Sequence, residues 1–90
     1  METKIMKVVA QSEKISVPSR KSESGQIDKC VIHLKELNDF GDEIIATILG
    51  NLASCRFAPG KVVAVSLRMS THENNGQQYQ DIIVNDIQEI

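Results

Sequence analysis

Short stretches in which apolar and polar residues alternate, most clearly Val62–Thr71, are separated by polar segments with glycine or proline. A period of two residues is typical of β-strands that bury one face. Lys4–Val17 has β-branched or flexible apolar residues and no helix cap, which predicts a first strand that bends midway. Ile27–Leu37 predicts a second strand with two distinct faces. We expect one face to carry Cys30, Ile32 and Leu34, and the other Val31, His33 and Lys35.

The second half of the chain predicts three more strands and one helix. Glu43–Leu49 predicts a third strand, and because it is apolar on both faces we expect it to be well covered. Gly50–Phe57 predicts one or two helical turns, with Asn51 as the N-cap. Val62–Thr71 and Gln78–Ile90 predict the last two strands, joined by the polar loop HENNGQ. Five strands with one short helix between the third and the fourth predict an all-β fold, the five-stranded Greek-key barrel called the OB-fold.

Length and charge limit the interpretation further. Ninety residues suit one domain, which we expect to span residues 1–90. The formal net charge of −2 gives no global basic signal for nucleic acid. The charge is uneven, however, because residues 1–35 hold seven Lys and Arg against four Asp and Glu, whereas residues 62–90 hold one against four. This asymmetry is either chance or the sign of one basic surface on an acidic body.

Several classes of function have no support in the sequence. No apolar run suits a transmembrane helix or a signal peptide, so we expect a cytoplasmic protein without a membrane partner. Cys30 and His33 are three positions apart, an odd separation that places them on opposite faces of a strand, and Cys55 has no neighbouring ligand. Gly60 and Lys61 lack the other residues of a phosphate-binding loop. We therefore expect no enzyme activity, no metal and no cofactor.

The chain from Gly50 onward resembles the second half of bacterial single-stranded-DNA-binding proteins. The features that carry the resemblance are a glycine before a short helix, a glycine after it, an alternating strand, a loop glycine, a tyrosine and an apolar last strand: Gly50, Gly60, Val63–Arg68, Gly76, Tyr79 and Ile82–Ile90. The first half matches only in outline. A small uncharacterised OB-fold family of Bacteroides-type bacteria is similar too. The resemblance implies an OB-fold that binds single-stranded DNA without catalysis.

The sequence departs from that family where its members stack bases on aromatic side chains. The matching positions here are Glu43, Leu49 and His72, of which only His72 could stack on a base. Each stacked base contributes about 1–3 kcal/mol to binding. We therefore expect binding that is weak and largely electrostatic.

The candidate nucleic-acid contacts are basic side chains and the two rings near the last loop: Lys14, Arg20, Lys21, Lys35, Arg56, Arg68, His72 and Tyr79. Arg20 and Lys21 lie in the polar segment between the first two predicted strands, where OB-folds commonly grip oligonucleotides. The alternative is that the charged residues are ordinary solvated side chains and that Tyr79 is a half-buried strand aromatic.

Self-association and protein binding are the remaining hypotheses. The segments EIIATIL and DIIVNDI are apolar on both faces, which favours a homodimer or homotetramer, unless loops of the same chain cover them. The acidic balance and Glu43 at a stacking position favour an alternative function, an OB-fold that binds protein partners and has lost nucleic-acid binding.

Overall fold

A computed structural model describes residues 2–19, 24–38 and 40–90 of the chain. These residues form six strands and one short 3-10 turn. In chain order the elements are β1 (Glu2–Gln11), β2 (Ile15–Pro18), β3 (Gln26–Glu36), β4 (Glu43–Leu49), the 3-10 turn (Gly50–Ser54), β5 (Val62–Asn74) and β6 (Gln77–Glu89).

The strands close into a barrel. The order β1-β5-β6-β4-β3 is closed by a further pairing between β1 and β3, and β2 extends the sheet beside β3. All of these pairings are antiparallel except that of β4 with β6, which meet in parallel at Thr47 and Ile83. This connectivity is the five-stranded Greek-key barrel of an OB-fold. The predicted fold class is confirmed, including the short helical element between the third and fourth predicted strands.

The predicted first strand corresponds to β1 and β2 together, with a bend between them. The register of β1 against β3 shifts between Val8 and Ala10, and a second interruption follows at residues 12–14. At the bend, Ser12 forms two hydrogen bonds with the backbone of Val31 in β3. Its amide donates to Val31 O at 2.8 Å, and its Oγ accepts from Val31 N at 2.8 Å. The hydroxyl therefore replaces a ladder partner where the strand turns away.

The core consists of the inward-facing apolar residues of the closed barrel. Cys30, Ile32 and Leu34 of β3 are buried, as the alternation predicts, and the intervening residues face outward. Strands β1, β4 and β5 contribute further buried side chains in the same alternating way: Met6, Val8, Ala46, Ile48, Val63 and Val65. Burial of these residues removes apolar surface from water and is the main stabilising contribution to folding.

The helical element is shorter than predicted, and the predicted N-cap is wrong. It ends at Ser54, and Leu49 rather than Asn51 occupies the cap position, without a side-chain cap. The side chain of Gln11 in β1 forms hydrogen bonds with the segment that follows the 3-10 turn. Gln11 Nε2 donates to Cys55 O at 2.9 Å, and Phe57 N donates to Gln11 Oε1 at 2.9 Å. A side chain of β1 therefore satisfies the backbone that a longer helix would have satisfied itself.

The hairpin between β5 and β6 is longer than predicted. Pairing continues through the polar segment to Asn74 opposite Gln77, so the predicted loop HENNGQ is mostly strand. Asn75 and Gly76, with φ of 54° and 78°, form a two-residue turn. Positive φ at both positions gives a turn whose twist matches that of the strands. We call residues 68–81 the hairpin arm, because β1 pairs with β5 only up to Leu67.

Coverage of β4 differs from the expectation. Ile45 is 65% exposed, so the prediction that this strand is well covered on both faces is wrong at this position. An exposed apolar side chain is compatible with the expected homodimer or homotetramer, which stays a prediction. Among the described residues, no helix is long and apolar enough to cross a membrane.

Candidate functional site

A groove of about 540 Å³ lies on the outer surface, between the end of β2 and the base of the hairpin arm. Its floor is aliphatic and comes from three strands, with Ile27 of β3, Leu49 of β4 and Ile83 of β6. Val17, Pro18 and Ser19 form the wall on the β2 side. The parallel contact of β4 with β6 brings the floor together, because it places Thr47 next to Ile83. The site thus depends on barrel closure.

Two cationic side chains and one carboxylate line the groove in the described part of the chain. Lys29 contributes from β3, and Arg68 from β5. Arg68 Nε donates to Asn85 Oδ1 at 3.0 Å, which uses one of the five N–H donors of the guanidinium. Asp81 lies on the same side as Arg68, and its Oδ2 is 2.9 Å from His72 Nδ1. The groove therefore combines an apolar floor with a positively biased rim.

The hairpin arm continues the groove with two rings. His72 lies directly opposite Tyr79, two positions farther out than the Ser70–Asp81 pair and on the same face. The ring centroids are 5.2 Å apart, and the planes differ by 20°, which is a stacked arrangement. Tyr79 Oη donates to Gln77 Oε1 at 2.7 Å, which fixes the phenol on the strand. The arm thus presents a stacked pair of rings beside the groove.

The outer face of β3 and β4 extends from the groove toward the opposite end of these two strands. His33 and Lys35 of β3 face outward here, opposite Ile45 and Glu43 of β4. His33 Nε2 lies 2.8 Å from Glu43 Oε1. Glu43 is thus at the end of β4 that lies farthest from the groove, whereas Leu49 is in its floor. Of the three positions that the resemblance associates with stacking aromatics, Leu49 lies in the groove and His72 beside it, whereas Glu43 lies apart from both.

Three of the predicted contact residues, Arg68, His72 and Tyr79, share the groove side of the hairpin arm. Lys35 is on the outer face of β3, at the opposite end from Lys29. Arg20 and Lys21 lie outside the described residues.

Lys14 and Arg56 lie elsewhere. Lys14 Nζ is 3.6 Å from Asp28 Oδ2 and 3.2 Å from Ser54 Oγ. Asp28 alternates with the groove residues Ile27 and Lys29, so Lys14 is on the other side of β3. Arg56 Nη2 donates to Gln11 O at 3.5 Å, at the barrel end that the 3-10 turn covers. The structure does not bring these two residues to the groove.

Two charged lining residues, Lys29 and Asp81, were not among the contacts predicted from the sequence. The signal for Lys29 was present, because it has the same parity as the outward residues Val31, His33 and Lys35. No local signal places Asp81 in a groove, because the other walls of the groove come from β2, β3 and β4, which are distant in the chain. Among the described residues, no group of three His, Cys, Asp or Glu side chains could hold a metal ion.

One solved structure supports the assignment of the fold. The solution NMR structure of the second OB-fold domain of replication protein A from Methanococcus maripaludis is similar, with a TM-score of 0.71. The match covers 98% of this chain and 81% of that chain, at 23% sequence identity. A likeness at this identity shows the OB-fold. No protein-family model matches the chain, and a search of curated protein sequences found no significant match.

Proposed function

We propose that this chain is a non-catalytic module that binds single-stranded nucleic acid in the groove, with DNA as the first candidate. The observation that carries the proposal is the placement of Lys29 and Arg68 on the rim of an apolar groove beside a stacked His72–Tyr79 pair. OB-folds bind oligonucleotides on this part of the barrel, between the two loops that flank it.

Phosphate contacts supply most of the binding free energy in this proposal. Lys29 of β3 and Arg68 of β5 are separated in the sheet by β4 and β6, so they offer donors on opposite sides of the groove. Arg20 and Lys21, which lie outside the described residues, stay predicted contacts. Each neutralised phosphate releases counterions, so the affinity falls as salt rises. Asp81 carries a negative charge that opposes this attraction.

Base contacts are limited to the hairpin arm. The rings of His72 and Tyr79 stack on each other, so a base can reach only an outer ring face. The aliphatic floor offers apolar contact without a π-face. One stacked base contributes about 1–3 kcal/mol, much less than several aromatic platforms would. This supports weak binding with little sequence preference.

Fluorescence anisotropy with a labelled oligothymidylate of about twelve nucleotides tests the proposal, since OB-folds cover about 4–16 nucleotides. We expect binding at low salt that weakens at physiological salt. A Lys29→Gln/Arg68→Gln variant should bind more weakly, and Asp81→Asn should bind more tightly because an opposing charge is removed. Lys61→Gln is the control, because Lys61 lies 3.5 Å from Glu89, away from the groove. Absence of binding at low salt would refute the proposal.

A second candidate function is binding of a protein partner in the same groove. The aliphatic floor of Ile27, Leu49 and Ile83 favours it, because such a floor suits an apolar side chain as well as a base. This candidate predicts that the purified protein retains a partner from a cell extract at high salt, and that Leu49→Ser releases it. Retention that is lost with rising salt in the same way as oligonucleotide binding would argue against it.

A further inference from the structure

The lysines of the described residues divide into two sets. In one set each ammonium lies within 3.5–3.6 Å of a carboxylate: Lys4 with Glu36, Lys14 with Asp28, and Lys61 with Glu89. In the other set, Lys7, Lys29 and Lys35, no carboxylate of the described residues lies within 4.0 Å of the ammonium. The three lysines of the second set share one surface, the outer face of β1 and β3.

The arrangement of Lys7 and Lys35 is unfavourable for folding. They lie directly opposite each other in the β1–β3 ladder. Like charges at directly opposite positions destabilise a sheet. Glu43 is directly opposite Lys35 on the other side, but its Oε1 makes its close contact with His33 Nε2 at 2.8 Å. Two lysines at opposite ladder positions, neither with a carboxylate of the described residues within 4.0 Å of its ammonium, form a surface that an external anion would stabilise.

Lys35 lies in line with Lys29 along β3, and therefore in line with the groove. Lys29 lines the groove, and Lys35 follows it on the same face of β3 after six residues. At about 3.3–3.4 Å per residue, this separation is about 20 Å. A stacked single strand advances about 3.4 Å per phosphate, so about six phosphates span the distance, and fewer do when the strand is stretched.

We propose that Lys7 and Lys35 form a second phosphate subsite, for the backbone of a single strand that leaves the groove at Lys29 and follows β3. The inference rests on the proposed function, because the groove supplies the first contact. Beyond the proposed function, the inference specifies the direction in which the nucleic acid crosses the barrel and the minimum length of the oligonucleotide. It also specifies a contact from β1. Oligonucleotides that only fill the groove do not reach Lys7 and Lys35, whereas longer ones do.

The test compares oligothymidylates of about five and about twelve nucleotides, both within the usual OB-fold site sizes. The logarithm of the association constant is measured against the logarithm of the salt concentration for each oligonucleotide. Each phosphate contact to a single strand contributes about −0.7 to this slope. We expect the longer oligonucleotide to have a slope steeper by about 1.4, corresponding to two additional contacts at about 0.7 each.

Single-residue variants show whether Lys7 and Lys35 cause the steeper salt dependence of the longer oligonucleotide. Lys7→Gln and Lys35→Gln should each remove about 0.7 of the slope with the longer oligonucleotide and leave the shorter one unchanged. Lys61→Gln is the matched control and should change neither slope. Chemical-shift changes at the Lys7 and Lys35 amides should appear only with the longer oligonucleotide, and circular dichroism verifies that each variant is folded.

Failure of the inference and failure of the proposed function give different results. Equal slopes for both oligonucleotides, or an unchanged slope in the two lysine variants, would overturn the subsite while binding in the groove persists. Absence of binding by either oligonucleotide at low salt would overturn the proposed function, and the subsite with it.

Discussion

The barrel and the hairpin arm are built from the same two strands but are stabilised in different ways. In the barrel, Val63 and Val65 of β5 are fully buried, and Ile87 of β6 packs against the same core. In the arm, most side chains of both strands are exposed. The backbone ladder, the turn and cross-strand pairs such as His72–Tyr79 therefore stabilise the arm.

Because of this difference, the residues that stabilise the fold and the residues that are available to a ligand lie in different regions. A region that buries its apolar face is fixed by packing and tolerates few changes. A ribbon with two exposed faces gains little from burial, so its side chains are free to meet a ligand. We infer that substitutions in the barrel change the free energy of unfolding, whereas substitutions on the arm change binding or local order.

The largest effect is expected in the barrel, from Ile32→Ala. Ile32 is fully buried, so the variant loses apolar contact and leaves a cavity, which should cost about 2–5 kcal/mol of unfolding free energy. Urea denaturation measures this change. The matched control is Ile45→Ala on the exposed face of β4, where we expect a change within about 0.5 kcal/mol. Similar losses in the two variants would show that Ile45 is covered in solution, as a homo-oligomer requires.

A smaller effect, on binding, is expected from Tyr79→Ala on the arm. Loss of one stacking ring should weaken oligothymidylate binding by about 1–3 kcal/mol, roughly 5- to 150-fold in Kd. Loss of the cross-strand pair should lower stability by only about 0.2–1 kcal/mol. Tyr79→Phe keeps the ring and removes the hydroxyl that donates to Gln77, so it should bind almost as the parent does. Equal affinity of the alanine variant and the parent in the anisotropy assay would exclude Tyr79 as a platform.

The smallest effect is expected from Gly76→Ala at the tip of the arm. A Cβ at Gly76 would meet no atom within 4 Å, so the change acts through the φ of 78° alone. A left-handed conformation costs an L-residue about 1–2 kcal/mol. Amide hydrogen exchange should become faster in the arm and stay unchanged at Ile32 and Leu34. Gly76→Asn is the control, because asparagine tolerates this conformation better. Faster exchange throughout the barrel would show that the two regions unfold together.

Much of the fold could be predicted from the sequence, because it depends on local patterns. Cys30, Ile32 and Leu34 recur at every second position of the segment, and this period predicted both the strand and its buried face. The bend in the first strand and the position of the helical element were also predicted. Polarity was misleading at residues 72–77, since a ribbon that is exposed on both faces has the composition of a loop.

The candidate site could be predicted only in part. Arg68, His72 and Tyr79 were identified, and the structure places them on one face of the arm. Lys14 and Arg56 were predicted by charge alone, and the structure places them away from the groove. A charge in a sequence does not show which carboxylate lies beside it, so ion-paired and unpaired lysines could not be separated.

The sequence by itself determined the strands, their inward faces and the glycine that the tip of the hairpin requires, because these features depend on residues close together in the chain. Only the tertiary structure decided the parallel contact of β4 with β6, the groove between β2 and the arm, and the opposition of Lys7 to Lys35. These features join residues that are far apart in the chain. Which of them meet depends on how the strands close into a barrel, and the alternation of side chains does not specify that.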